Sequence, residues 1–222
     1  MQQQQHLDAK PGMADILDLL VAQDGTGSHD YVVSGALLAP PHGGRNLADA
    51  VHYLGVLHGR YPGVVDHAAT KTADGAARGW MLTAADAFAG ERAYLARLAV
   101  AIGPVPGTPG QVQCEAAVAA QRHALDMLAQ SDRKGCAIGA AIALCLDWLT
   151  VRAVLDMAAE RVNLVPPACT LPDVRRTAAL ANALSGTAGA ERAMHFGAEQ
   201  ILTQHRGLWD LLRSRAEARG DS

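Results

Sequence analysis

Carboxylates and imidazoles recur at one-turn and two-turn intervals in the second half of this sequence, the spacing that metal ligation by helices requires. Glu191, His195 and Glu199 follow one another every four residues. A one-turn separation puts His195 and Glu199 on the same side of a helix, within reach of a single cation. Upstream, Glu115 and His123 stand two turns apart, and Glu91 falls in the middle of another helical stretch. Acidic and imidazole groups projecting from several helices of one bundle can make a dimetal centre. Glu91, Glu115, His123, His195 and Glu199 are therefore the candidate metal ligands. The competing reading is a solvated ridge. The last group lies beside the apolar stripe of its helix, where i, i+4 pairs give only mild support.

A second set is defined by small size. Gly135, Gly139, Ala143 and Asp147 are also four apart and share one helix face. Three small residues leave a shallow groove for another helix backbone or a flat ligand, so these four form the candidate ligand groove. It ends at Asp147, a carboxylate that is costly to bury without a partner. Arg122, His123 and Arg92 are the candidate partners. His58 and His205 occupy apolar stripes and are expected to be core residues whose ring nitrogens bond backbone carbonyls. The sequence holds no Gly-rich phosphate loop and no Gly-x-Ser-x-Gly elbow.

Helices must position all of these groups. Residues 135–162 are apolar on nearly every side for three turns, and such a helix belongs at the centre of a fold. Gln111–Gln130 is amphipathic and is expected to be its antiparallel partner, with Thr108 as N-cap and Pro109 at the first helical position. Asn46 is expected to cap a helix reaching about Arg60, and Pro62 to open a short one. Thr70–Gly79 reads as a link, followed by a Thr83-Ala-Ala-Asp86 capping box and a helix closed by Gly103 and Pro104. Thr170 is expected to cap a helix ending at Leu184. The last helix, about Ala188–Arg215, carries Met194, Ala198, Ile201, Leu202, His205, Leu208, Trp209 and Leu212 on one face. Gln23–Arg45, rich in Gly, Pro, Ser and His, reads as a long irregular connection with Tyr31–Val33 briefly extended. The fold class is thus all-α. A single-domain bundle of about seven helices (46–215) surrounds the central apolar helix. An N-terminal extension (13–45) carries a short helix, and disordered tails lie at 1–12 and 216–222.

Composition agrees with that class. Half of the residues are hydrophobic but only 4% are aromatic and 18% charged, so Ala, Leu and Val must build the core. That favours closely packed helices over a β-sandwich. A net charge of −3 offers no electrostatic reason for a nucleic-acid partner. Cys114, Cys136, Cys145 and Cys169 form no CxxC pair and read as reduced thiols of a cytoplasmic protein. No basic-then-apolar signal pattern opens the chain. Cys136–Leu146 falls short of the ~20 residues that span a bilayer and stops at Asp147, so no membrane partner is expected. Self-association as a homodimer, through an Ala-rich or Trp-bearing helix face, is.

Glu115…His123 and His195-x3-Glu199 resemble two ligand elements of the heme-oxygenase-like all-α bundles that bind two irons. These are a Glu followed two turns later by His, and the start of a His-x3-Asp/Glu-x2-His run. The resemblance implies iron or manganese between bundle helices and an oxidase-like activity. Leu202 stands where the run places its last His, and the Glu-to-His interval is one residue off. The ferritin-like Glu-x-x-His pair is absent, because Met194 follows Glu191 at that spacing. Such bundles also include thiamine-salvage hydrolases with a Cys nucleophile, with which Cys136 and Cys145 compare, though neither has a recognisable His partner. Leu202 tilts the reading toward a binding or interaction module, holding an apolar small molecule between helices or a protein on its surface. The non-heme dimetal enzyme is the alternative.

Overall fold

In the computed structural model, which describes residues 11–220 except Asp74 and only the backbone of Ala76, helix is the only regular structure. The helices are α1 (Met13–Asp24), the single turn α2 (Asp30–Val33), α3 (Gly43–His58), α4 (Val64–Lys71), α5 (Gly75–Ile102), α6 (Gln111–Ala129), α7 (Cys136–Arg161), α8 (Val174–Leu184) and α9 (Ala188–Ala218). The all-α bundle stands, with nine helices among the described residues.

The central helix is α7, and it is buried on nearly every side from Cys136 to Cys145 and again at Trp148, Val151 and Leu155. By length and apolarity it is sufficient to cross a membrane, yet 72% of its most apolar window lies inside the protein. Its chief neighbour is α9, where small residues let the two backbones touch. A Cβ on Gly139 would overlap the Met194 carbonyl oxygen, and one on Gly197 would overlap the Cys136 carbonyl oxygen. Contacts between Gly139 and Met194 and between Asp147 and His205 show that α7 and α9 run parallel. Parallel neighbours need a long return connection, supplied by residues 162–187 with α8 inside it. Helix α6 is antiparallel to both, its Gln121 Nε2 donating to the Gln204 carbonyl at 3.1 Å.

Several local expectations are corrected. Residues 23–45 are built of short helical turns, and Tyr31–Val33 is helical rather than extended. Asn46 lies inside α3, buried, with its Oδ1 accepting from Arg219 at 2.7 Å. Pro62 precedes α4 instead of opening it: Gly63 is the N-cap, and its N–H donates to Asp66. Helix α5 begins eight residues before Thr83, whose hydroxyl donates back to the Gly79 carbonyl as an in-helix bond. Gly110, in the left-handed region at φ +76°, starts α6, while the Thr108 hydroxyl serves Pro106 and Arg219. Asp173, not Thr170, caps α8 through the Arg176 N–H.

The boundary drawn at residue 46 also falls away. Met13 and Leu17 are buried against the bundle, so α1 belongs to the core. At the other end α9 runs on to Ala218, through part of the expected 216–222 tail; the expected tail at 1–12 lies outside the described residues except for Pro11 and Gly12. Trp80, Trp148 and Trp209 are all buried, which leaves no Trp-bearing face for self-association.

Candidate functional site

The stripe Gly135–Gly139–Ala143–Asp147 meets three different surroundings along α7. At its first end Gly135 is the N-cap, at φ +100°, with no side chain to cap the helix. The N–H groups of Ala137 and Ile138 have no hydrogen-bond acceptor among the described residues. Both residues line a cleft of about 870 Å³ bounded by α4, α8 and the first turns of α7 and α9. Ala68, Ala137, Ile138, Leu184 and Ala190 form apolar wall, and Lys71, Arg133 and Lys134 stand at the rim. Lys71 is tied to the Gln130 and Ser131 carbonyls at 2.5 and 3.2 Å, and the Arg133 guanidinium lies over the Phe196 ring. Lys134 has no ion pair among the described residues. Because α7 and α9 are parallel, the positive ends of both helix dipoles point to this end of the bundle.

In the middle of the stripe the groove is filled by α9. No flat ligand enters beside Gly139, because the Met194 backbone is already there, and Ala143 is fully buried. This is a correction of the ligand-groove expectation: its Gly135 end opens on a cleft, and its centre is a helix–helix contact.

At the far end Asp147 is 1% exposed and is satisfied by none of the three expected partners. Arg92 forks onto Asp66 at 2.9 and 3.2 Å, and His123 is exposed. Instead, Asp147 Oδ1 accepts from the Thr26 N–H at 2.7 Å, and Oδ2 accepts from the Thr26 hydroxyl at 2.7 Å and from His205 Nδ1 at 2.5 Å. Trp209 Nε1 donates to the Thr26 hydroxyl at 3.0 Å. Burial pushes the Asp147 carboxyl up, but the His205 and Thr26 contacts outweigh it and hold the pKa below the usual carboxylate range.

The chain continues beyond His205. Its Nε2 lies 2.8 Å from Nε2 of His58, a pairing of two core histidines where backbone carbonyl partners were expected. One proton serves that bond, and either ring can carry it. Edge-on contacts with Trp148 (5.3 Å between centroids) and Phe88 (6.3 Å) fix the His58 ring. Burial, then the nearby His205, drive the His58 pKa well below that of a free imidazole, so the ring is neutral at pH 7. His58 also lines a narrow cleft with Arg122 and Leu125 of α6 and Phe88 of α5.

The five metal-ligand candidates are not brought together. Glu91 is buried but committed: it accepts from Arg152 Nη1 at 2.6 Å and from Trp148 Nε1 at 3.0 Å. Arg152 in turn donates through Nε to Asp156 at 2.7 Å and through Nη2 to the Pro167 carbonyl. Glu115 is exposed and accepts from Gln111 of its own helix. His195 and Glu199 pair with each other at 3.3 Å, with side chains 41% and 46% exposed. Among the described residues no group of three His, Cys, Asp or Glu side chains is placed to hold a metal ion. The solvated-ridge reading of His195 and Glu199 fits this placement.

Sequence reasoning missed Thr26 as a functional partner, since nothing local marks a threonine in a Gly-rich stretch as a carboxylate clamp. The His58–His205 pair was signalled only as two histidines on apolar stripes. No curated protein and no solved structure matches the chain. A family model does match residues 21–220, a span that includes Thr26, His58, Asp147 and His205. The chain therefore belongs to the family described as "Family of unknown function (DUF6975)".

Proposed function

We propose that this protein is a small-molecule-binding module whose ligand sits in the cleft at the first turns of α7 and α9. The carrying observation is the cleft itself. Its volume of about 870 Å³ falls in the range of ligand pockets, roughly 300–1,000 Å³. Its walls are largely apolar, and positive features outnumber negative ones: two parallel helix N-termini and the cations Lys71, Arg133 and Lys134 stand against the single carboxylate of Asp132, which lies 3.6 Å from Lys71. A ligand with an apolar body and an anionic head fits that lining. The direct test is calorimetric titration with decanoate and with decanol. Binding of decanoate, weakened at least 10-fold in Lys134→Glu and lost in Ile138→Trp, supports the reading. Equal affinity for the alcohol removes the anionic head from it, and no heat with either probe rejects the site.

We infer a second copy of the chain as a partner at a separate surface. Phe196 is 39% and Met127 62% exposed beside an apolar groove between α6 and α9. A homodimer seated there would become monomeric, by light scattering, in a Met127→Glu, Phe196→Glu variant. A wild-type monomer across concentrations rejects this part.

A further inference from the structure

The ligand cleft makes no use of the Asp147–His205–His58 chain, whose free end meets a second opening. His58 bonds His205 through Nε2, and its other nitrogen, Nδ1, has no hydrogen-bond partner among the described residues. The residue is 6% exposed and lines a narrow cleft with Arg122. Arg122 forms no hydrogen bond or ion pair among the described residues, and its Nε–H is buried without an acceptor. Asp126 also lines the cleft but forms no ion pair with Arg122. A buried guanidinium N–H without an acceptor is costly, so the cleft calls for an acceptor that no side chain supplies. The room between the walls is about 20 Å³, and one water needs roughly 10–15 Å³. That admits a water or one monoatomic ion, not a polyatomic anion.

We propose that this cleft binds a single small halide ion, chloride or fluoride, together with one proton. The hydrogens of the chain behind it give the reason. Asp147 takes one from His205 Nδ1, and one more serves the bond between the two Nε2 atoms. With these two the histidine pair is neutral, and His58 Nδ1 keeps a lone pair, which repels an anion. A third hydrogen on Nδ1 turns it into a donor facing the same space as the Arg122 Nε–H. The hydrogen between the rings then sits on His205, so the positive charge lies beside the Asp147 carboxylate and not in the apolar core. Ion and proton enter together, and the net charge of the buried site does not change. At higher pH the space suits a water, which accepts from Arg122 and donates to His58. Charged groups around His58 are Arg60, the Asp66–Arg92 pair, Arg122 and Asp126, with His205 and Asp147 behind it and the Glu91–Arg152 pair beyond Trp148.

The test is titration of the full chain with sodium fluoride, chloride and perchlorate at pH 6 and pH 8, beside His58→Gln and Arg122→Gln, each checked for helicity and Tm. Imidazole nitrogen NMR shifts follow His58 Nδ1, and a pH-stat counts protons. The expected result is a saturable response to fluoride or chloride, with one proton taken up per ion, and none to perchlorate. Apparent affinity should fall about 10-fold per pH unit once the free pair is neutral. Arg122→Gln should weaken binding about 10-fold or more. His58→Gln keeps a donor at every pH, so binding there should lose its pH dependence and its proton uptake. An equal response to all three salts, or no saturable response to either halide, overturns the proposal and leaves a water in the cleft. If His58→Gln does not fold, Arg122→Gln decides: an unchanged halide affinity there overturns it.

Discussion

Two buried polar clusters flank the Trp148 indole, and they are built on opposite principles. On one side Trp148 Nε1 donates to Glu91, and Arg152 ties Glu91 to Asp156, where the Tyr94 hydroxyl also donates. The Arg152 guanidinium lies 4.4 Å from the Tyr94 ring centroid and finishes on the Pro167 carbonyl. Every charge there is answered by another. On the other side His58 packs edge-on against the same indole and starts a chain whose links share protons and whose last nitrogen is left over. The first cluster locks α5 to α7 and the crossover. The second joins α3, α7 and α9 but keeps one titratable end beside a cleft. The two clusters thus differ in closure: the first is answered at every charge, and the second ends on a ring that lines a cleft.

The widest gap between the clusters should appear when each loses a charge. Arg152→Met leaves the buried Glu91 charge with only the Trp148 N–H and is expected to cost about 3–5 kcal/mol in urea unfolding; a loss below 1 kcal/mol would mean that Glu91 finds water instead. Thr26→Val removes one donor to Asp147 and the acceptor of Trp209, with an expected loss of about 1–3 kcal/mol by the same measurement. Acid then separates the clusters without mutation. The folded pKa of His58 lies below its usual value, so above pH 6.5 the ring is neutral in both states. Below that, the unfolded chain takes up a proton that the folded chain refuses, and stability falls with decreasing pH. The slope should approach about 1.4 kcal/mol per pH unit. Asp147, also held down, adds a loss in the same direction only below its unfolded pKa. Denaturation midpoints between pH 7 and 5 should show the slope in Arg152→Met and a shallower one in His58→Gln; identical slopes in both would assign it elsewhere. Smallest of all, Tyr94→Phe removes one hydroxyl from Asp156, whose side chain is 37% exposed, and should cost about 1 kcal/mol or less.

The long helices were legible because their apolar spacing is local information. Gln111–Ala129 and Cys136–Arg161 lie within a residue or so of the expected spans. Helix α5 was read short because Gly75 and Gly79 lower helix propensity, although both sit in open space with nothing to clash. Asp147 was legible as a buried acid needing a partner. Its partners were not, because His205 reaches it only through the parallel packing of α7 and α9, which Gly139 and Gly197 permit together. The metal candidates show the converse. Periodicity correctly put His195 and Glu199 on one side of α9, but not which way that side faces.

Thr26 ties together distant parts of the chain: the side chains it bonds, Asp147 and Trp209, follow 121 and 183 positions later. Until α9 is complete, α1 and the turn after it have no α7–α9 surface to close upon. Contacts of such long sequence separation carry a large loop-closure cost and slow folding. On this view residues 13–29 act as the latch of the bundle. Their arrival is the event that buries Asp147.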